Sequence, residues 1–206
     1  MKKIDLILAA IIGFLTGVFF SFILGQIDAG VSGPFLKQLI ANSWIFIVIF
    51  PILSFLGMSV ASVIGQKILI AYQAAKFFLV GILNTLIDIG ILNFFISLTD
   101  TTKGIFYSIF KAISFLVATT NSYFWNRFWT FEKGKEGTQS QEFLKFLLVT
   151  IIGFLINVGV ASFVVNVIGT QSGISEKIWA SVGAIVAAFA AFIWNFLASK
   201  FIVFKK

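Results

Sequence analysis

At 206 residues, with 59% hydrophobic and 11% charged side chains and a mean hydropathy of +1.05, the chain has too few charges to cover a water-facing surface; soluble domains average about a quarter charged residues. It contains no cysteine and no histidine, which excludes disulfides, thiol catalysis and the common zinc sites, so neither metal nor cofactor is expected. The net charge of +7 comes from basic residues at the ends of apolar runs, a pattern that points to membrane topology and anionic lipid rather than nucleic acid.

A spanning helix needs about 20 apolar residues, and six runs qualify: about 4–25, 42–65, 77–98, 110–130, 143–168 and 178–199. Lys2-Lys3 before an apolar run resembles a secretory leader. The run is too long for a leader core and no Ala-x-Ala-like site follows, so it is expected to be retained as the first helix.

The first two runs form an N-terminal hairpin, residues 1–66. The first carries Gly13, Gly17, Ser21 and Gly25, and the second Gly57, Ala61 and Gly65, small residues at every fourth position. Such stripes let helix backbones approach closely in lipid, within one chain or between copies. Pro51 is expected to kink the second helix.

The third run places Asp88 twelve positions after Lys76, roughly 18 Å along a helix and near mid-bilayer. An ionisable group there costs at least about 2.5 kcal/mol and needs a partner, water or a raised pKa. Lys76, Val80, Asn84 and Asp88 share one face. Asp88 therefore either ties two helices together or belongs to a substrate or proton path. The fourth run adds Ser114, Ala118, Ser122 and Asn126 on one stripe, flanked by Thr119, Thr120 and Asn121. Singly these suit helix packing; with Asp88 they suit a wet interior.

Residues 132–141 are the one sustained polar stretch and read as a flexible linker, while 99–109 and 169–177 read as short outer loops. Phe106 and Tyr107 suit the outer interface. With the N-terminus inside, Lys2, Lys3, Lys67, Lys76, Arg127, Lys133, Lys135, Lys145, Lys200, Lys205 and Lys206 are cytoplasmic, and Lys37, Lys103, Lys111 and Lys177 are outside. Eleven against four is a positive-inside bias that puts both termini in the cytoplasm.

The second half repeats the first. Lys76-Phe77 recurs as Lys145-Phe146, 69 positions on; Asp88 meets Asn157, and Trp125-Asn126 meets Trp194-Asn195. Four extra residues are then needed before Phe201-Ile202-Val203-Phe204 aligns with Phe128-Trp129-Thr130-Phe131. The chain is thus read as an all-α integral membrane protein with six transmembrane helices. The hairpin precedes a duplicated two-helix repeat in parallel orientation, with copies at about 76–134 and 145–206. Parallel repeats place shared sites at their interface. Lys76, Lys145, Arg127 and Lys200 fall at matching inner ends, where they would ring one cytoplasmic entrance. Arginine grips phosphate bidentately and lysine acts as a point charge. Tyr123, Trp125, Trp129 and Trp194 nearby suit sugar rings or lipid tails, and equally an interfacial belt.

In Lys76-Phe77-Phe78-Leu79-Val80-Gly81-Ile82-Leu83-Asn84-Thr85 and Asn121-Ser122-Tyr123-Phe124-Trp125-Asn126-Arg127-Phe128-Trp129-Thr130-Phe131 the chain resembles the GtrA-like family of small bacterial membrane proteins. The resemblance covers about residues 71–206 and implies four helices; the hairpin is a departure. It implies translocation of an undecaprenyl-phosphate-linked sugar across the bacterial cytoplasmic membrane, alongside a membrane glycosyltransferase, for envelope polysaccharide or teichoic acid. The candidate substrate-binding residues are Lys76, Asn84, Asp88, Asn121, Ser122, Tyr123, Asn126, Arg127, Trp129, Lys145, Asn157, Asn195 and Lys200. Two other readings stand: a scaffold recruiting the glycosyltransferase, and a small proton-coupled transporter built on Asp88. An enzyme is not expected, because the sequence shows no nucleophile–base pair, metal cluster or P-loop, and Asp88 has no second buried carboxylate. A homo-oligomer is a further expectation from Gly13 and Gly17.

Overall fold

The computed structural model describes residues 3–26, 33–100, 104–132, 139–169 and 176–205. The core of the expected linker (133–138), interior parts of both outer loops (101–103 and 170–175), and Lys2, Lys103 and Lys206 lie outside the described residues. Every element among the described residues is helical, and the chain divides into two compact units, Met1–Glu132 and Lys133–Lys206.

The first unit contains α1 (Lys3–Gly25), α2 (Pro34–Ala41), α3 (Ile45–Gly65), α4 (Leu69–Thr99) and α5 (Gly104–Trp125), the last running into a π-helical segment, Asn126–Thr130. The second contains α6 (Gln139–Ser162), α7 (Glu176–Ala198) and two further π segments, Phe163–Ile168 and Ser199–Val203. Among the described residues five helices are long and apolar enough to cross a membrane: α1, α3, α4, α6 and the α7 region, so this is a multi-pass membrane protein. The 22 residues of α5 fall outside that set because Lys111, Ser114, Thr119, Thr120, Asn121 and Ser122 dilute its apolar run.

Two elements differ from the sequence reading. The third helix begins at Leu69, not near 77, because nothing at Lys76 breaks the backbone ladder and its side chain is neutralised by tertiary contacts. The loop between the first two spans folds into the short α2, opened by Pro34 in its first turn, where a missing N–H costs nothing.

In the first unit, α1 packs on both α3 and α4. Gly13 and Gly17 make the α1–α3 approach possible: a Cβ on Gly13 would stand 2.5 Å from the Phe50 carbonyl oxygen, and one on Gly17 equally close to that of Phe46. Ser21 continues the stripe by donating to the Ser43 carbonyl at 2.6 Å. The glycines expected as possible contacts between copies are thus consumed within the chain. Pro51 lies inside α3, at this closest approach. Ala9, Ile12, Met58, Val80, Leu83, Ile87, Ala118 and Trp129 form the core that locks the hairpin onto α4 and α5.

The duplication is visible within each unit. Phe77 meets Phe131 at 6.1 Å between ring centroids, and Phe146 meets Phe204 at 5.8 Å. The Phe131 amide donates to the Asn126 carbonyl at 2.9 Å, and the Phe204 amide to that of Ser199 at 2.8 Å. Both π segments close the same turn. The second helices therefore correspond at an offset of 73 from end to end, pairing Asn126 with Ser199 and Arg127 with Lys200. Asn195 supports this register: it packs on Gly153, the counterpart of Asn84, whereas Asn84 bonds to Asn121 rather than Asn126. The four extra residues thus precede α7. The equivalence of Trp125-Asn126 with Trp194-Asn195 is a one-turn coincidence of composition, corrected by the contacts.

Candidate functional site

Antiparallel packing of α4 against α5 builds a polar seam inside the first unit. At one end, Lys111 pairs with Asp88 through Oδ2, and Ser114 donates to Asp88 Oδ1 at 2.6 Å. About one turn along α4, Asn121 Nδ2 donates to Asn84 Oδ1 at 2.9 Å, while Asn84 Nδ2 donates to the Val80 carbonyl at 2.6 Å. Just past the end of α5, Asn126 Nδ2 donates to the Ser122 carbonyl and hydroxyl at 2.9 and 3.2 Å. Ser114, Thr119, Asn84 and Asn126 are buried. Asp88 thus has the partner that its depth demands, supplied by Lys111, a residue that sequence reading assigned to the outer flank. Its side chain retains 21% exposure.

At the other end stands an ionic cluster. Lys76, 1% exposed, donates through Nζ to Asp5 Oδ1 at 2.9 Å, to the Trp129 carbonyl at 3.3 Å and to Glu132 Oε1 at 3.4 Å. Asp5, 3% exposed, also accepts from Trp129 Nε1 and the Tyr72 hydroxyl, each at 2.9 Å. The ammonium lies 4.7 Å from the Tyr72 ring centroid and 5.3 Å from that of Trp129. A buried cation surrounded this completely is held in place rather than open to a ligand. Asp5, Tyr72, Glu132, Lys111 and Ser114 were absent from the sequence-derived site. The signal for Asp5 was present: it is the one acid in the apolar run 4–25, and an acid in such a run needs a named partner.

The other candidates are placed as follows. Arg127 is fully enclosed and its guanidinium donates to the Tyr123 hydroxyl at 3.1 Å. Lys145 is exposed, Asn157 is half-buried in α6, and Lys200 is half-buried, with Nζ 5.5 Å from the Phe201 ring centroid. Trp194 donates to the Val149 carbonyl at 3.0 Å, so it is tied to packing within the second unit. Several buried oxygens have no hydrogen-bond partner among the described residues: Gln73 Oε1, Asn126 Oδ1 and Thr130 Oγ1 in the first unit, Asn195 Oδ1 and Ser199 Oγ in the second. Asn126 and Ser199 are equivalent, each opening its π segment and preceding the cation of that segment, Arg127 or Lys200. No group of three acidic residues that could hold a metal occurs among the described residues.

The GtrA/DPMS transmembrane domain matches residues 76–204, from the buried lysine of α4 to the phenylalanine that closes the last π segment. The chain belongs to the GtrA/DPMS transmembrane-domain family. The GtrA/DPMS region spans both repeats and leaves the hairpin α1–α3 outside it, although that hairpin supplies Asp5 to the first GtrA/DPMS lysine. No curated protein and no solved structure matches the chain.

Proposed function

We propose that the protein carries a polyprenyl-phosphate-linked sugar, with undecaprenyl phosphate as the lipid, from the inner to the outer leaflet of the bacterial cytoplasmic membrane. The sugar is loaded by a membrane glycosyltransferase and serves cell-surface polysaccharide or teichoic acid glycosylation. In this reading α5 also crosses the bilayer, giving six spans, with the repeats parallel and both termini cytoplasmic. Membership in the GtrA/DPMS family supports a place in polyprenyl-phosphate-sugar metabolism. Unaided flipping is slow because the head group must cross hydrocarbon without hydrogen-bond partners.

The observation that carries the step to translocation is the duplicated π segment. Each copy buries an unpaired oxygen, Asn126 Oδ1 or Ser199 Oγ, next to a cation at equivalent positions. An unsatisfied buried polar atom costs about 1–3 kcal/mol. Its recurrence in both repeats favours a ligand rich in hydroxyls and negative charge. π segments recur at functional sites because their weaker ladder rearranges readily. Arg127 in the first repeat, and Lys200 at the matching place in the second, are then the phosphate-holding cations, each within its own repeat; Lys145 adds positive potential to the second, and Lys76 is neutralised by Asp5. Asn84, Asp88, Asn121, Ser122 and Asn126 offer successive hydrogen bonds to the sugar while the tail stays in lipid. Tyr123 and Trp129 position Arg127 and Asp5, and Asn157 and Asn195 are the polar side chains that the second repeat offers by itself.

The test uses liposomes with a polyprenyl-phosphate-sugar labelled in one leaflet and an impermeant reagent outside. Wild type should accelerate exposure of the sugar, Asp88→Asn should lose most of that acceleration, and Arg127→Ala should weaken lipid binding. Folded wild type that leaves the sugar at the background rate overturns translocation in favour of a scaffold. Unchanged binding and transport by Arg127→Ala removes that residue from the phosphate site.

A further inference from the structure

The two repeats share a register but differ in what covers them. In the first, α1 lies along α4: Asp5 binds Lys76, Leu83 and Ile87 join the core with Ala9 and Ile12, and the Phe19 ring closes over Gly90. The positions that cradle Asp5 are Tyr72, Lys76 and Trp129. In the second repeat these become Gln141, Lys145 and Ile202, and all three are exposed. Trp129 is 3% exposed and Ile202 55%; Leu83 is 0% exposed and Ile152 42%. Gly159, the counterpart of Gly90, is exposed and faces open space. The residues turned toward α7 keep their burial, Phe146 and Val149 matching Phe77 and Val80. The contrast is therefore confined to the face that α1 covers in the first repeat.

We propose that this face of α6 docks a transmembrane helix of another membrane protein, one that carries a carboxylate at the end level with Lys145 and a bulky apolar side chain over Gly159. An apolar face alone would simply meet lipid. Lys145 decides the matter: a lysine at this position binds a helix-borne carboxylate in the one repeat where the partner helix is present. Gln141, one turn earlier, supplies a donor where Tyr72 supplies one to Asp5. Charge complementarity specifies the acid, and the open Gly159 specifies where backbone approach is closest. A second copy of this chain is a poor occupant, because its Asp5 is already engaged and the exposed stripe of its α1, Ile4, Ile7, Ile11, Phe14 and Val18, carries no acid. The proposal rests on repeat geometry and does not depend on lipid translocation.

The test places a photo-crosslinking amino acid at Ile152 of the full chain in liposomes, with a control at Phe154, about 200° around the helix. The probe is a synthetic helix with the sequence of residues 3–25, whose acid is Asp5. Crosslinking at Ile152, and not at Phe154, should fall roughly tenfold when the probe's acid is changed to Asn or the chain carries Lys145→Gln. It should return when Lys145→Glu meets a probe bearing lysine in place of the acid. Lys145 is exposed, so these variants fold, which unchanged helicity and elution verify. Equal crosslinking with acid and amide probes overturns the proposal, as does crosslinking between two copies at Ile152 without any probe.

Discussion

Replacing Asp5 with asparagine should destabilise the first unit by about 3–5 kcal/mol, the range for removing one partner of a buried ion pair. Asparagine fits the site: its carbonyl oxygen can still accept from Trp129, and the Tyr72 hydroxyl can turn to accept from its amide. What is lost is the charge facing Lys76, which is 1% exposed. Glu132 remains 3.4 Å away, but its side chain is 40% exposed, and partly exposed pairs contribute only about 0.2–1 kcal/mol. The ring faces of Tyr72 and Trp129 return about 0.5–2 kcal/mol. At about 2–4 °C per kcal/mol for a chain of this length, the midpoint of thermal unfolding should fall by roughly 6–20 °C. Lys76→Met should cost a similar amount, and the double variant less than the sum, with a coupling of about 2–3 kcal/mol. Reversible unfolding in bicelles reads all four proteins. Costs that simply add, or an Asp5→Asn loss under about 0.5 kcal/mol, would refute the buried pair as the tie between hairpin and domain.

Gly13→Ala should loosen α1 from α3 by about 1–3 kcal/mol, because the added methyl meets the Phe50 carbonyl and cannot be accommodated by a rotamer change. Gly57→Ala, in open space, should be neutral or slightly stabilising; unfolding midpoints check both. Asn121→Ala strands Asn84 Oδ1 and should cost about 1–3 kcal/mol. Asn84→Leu with Asn121→Leu should restore most of the stability while abolishing sugar flipping. Retained flipping by that double variant would reduce the seam to packing.

The membrane class, the recurring Lys-Phe and the acid deep in an apolar run were legible in the chain because each is written in local pattern. The need of Asp88 for a partner was legible too; its identity was not, since Lys111 lies 23 positions away and looks like a topological flank. The register of the second repeat misled for a similar reason. Trp-Asn recurs at an offset of 69, but the contacts of Asn195 and the closing turns at Phe131 and Phe204 place the second helices at 73.

Composition alone determined that the chain must live in lipid, because 11% charged residues cannot solvate a surface of this size. The small-residue stripe likewise announced close helix packing, though not with which partner. Tertiary structure decided which charges are free. Lys76 and Lys145 are the same residue in the same repeat position, yet one is sealed by Asp5 from 71 positions away and the other is open. The flanking Tyr72 and Gln141 differ but do not say which lysine is covered; the difference is whether a helix from elsewhere in the chain lies alongside, as α1 does at Lys76.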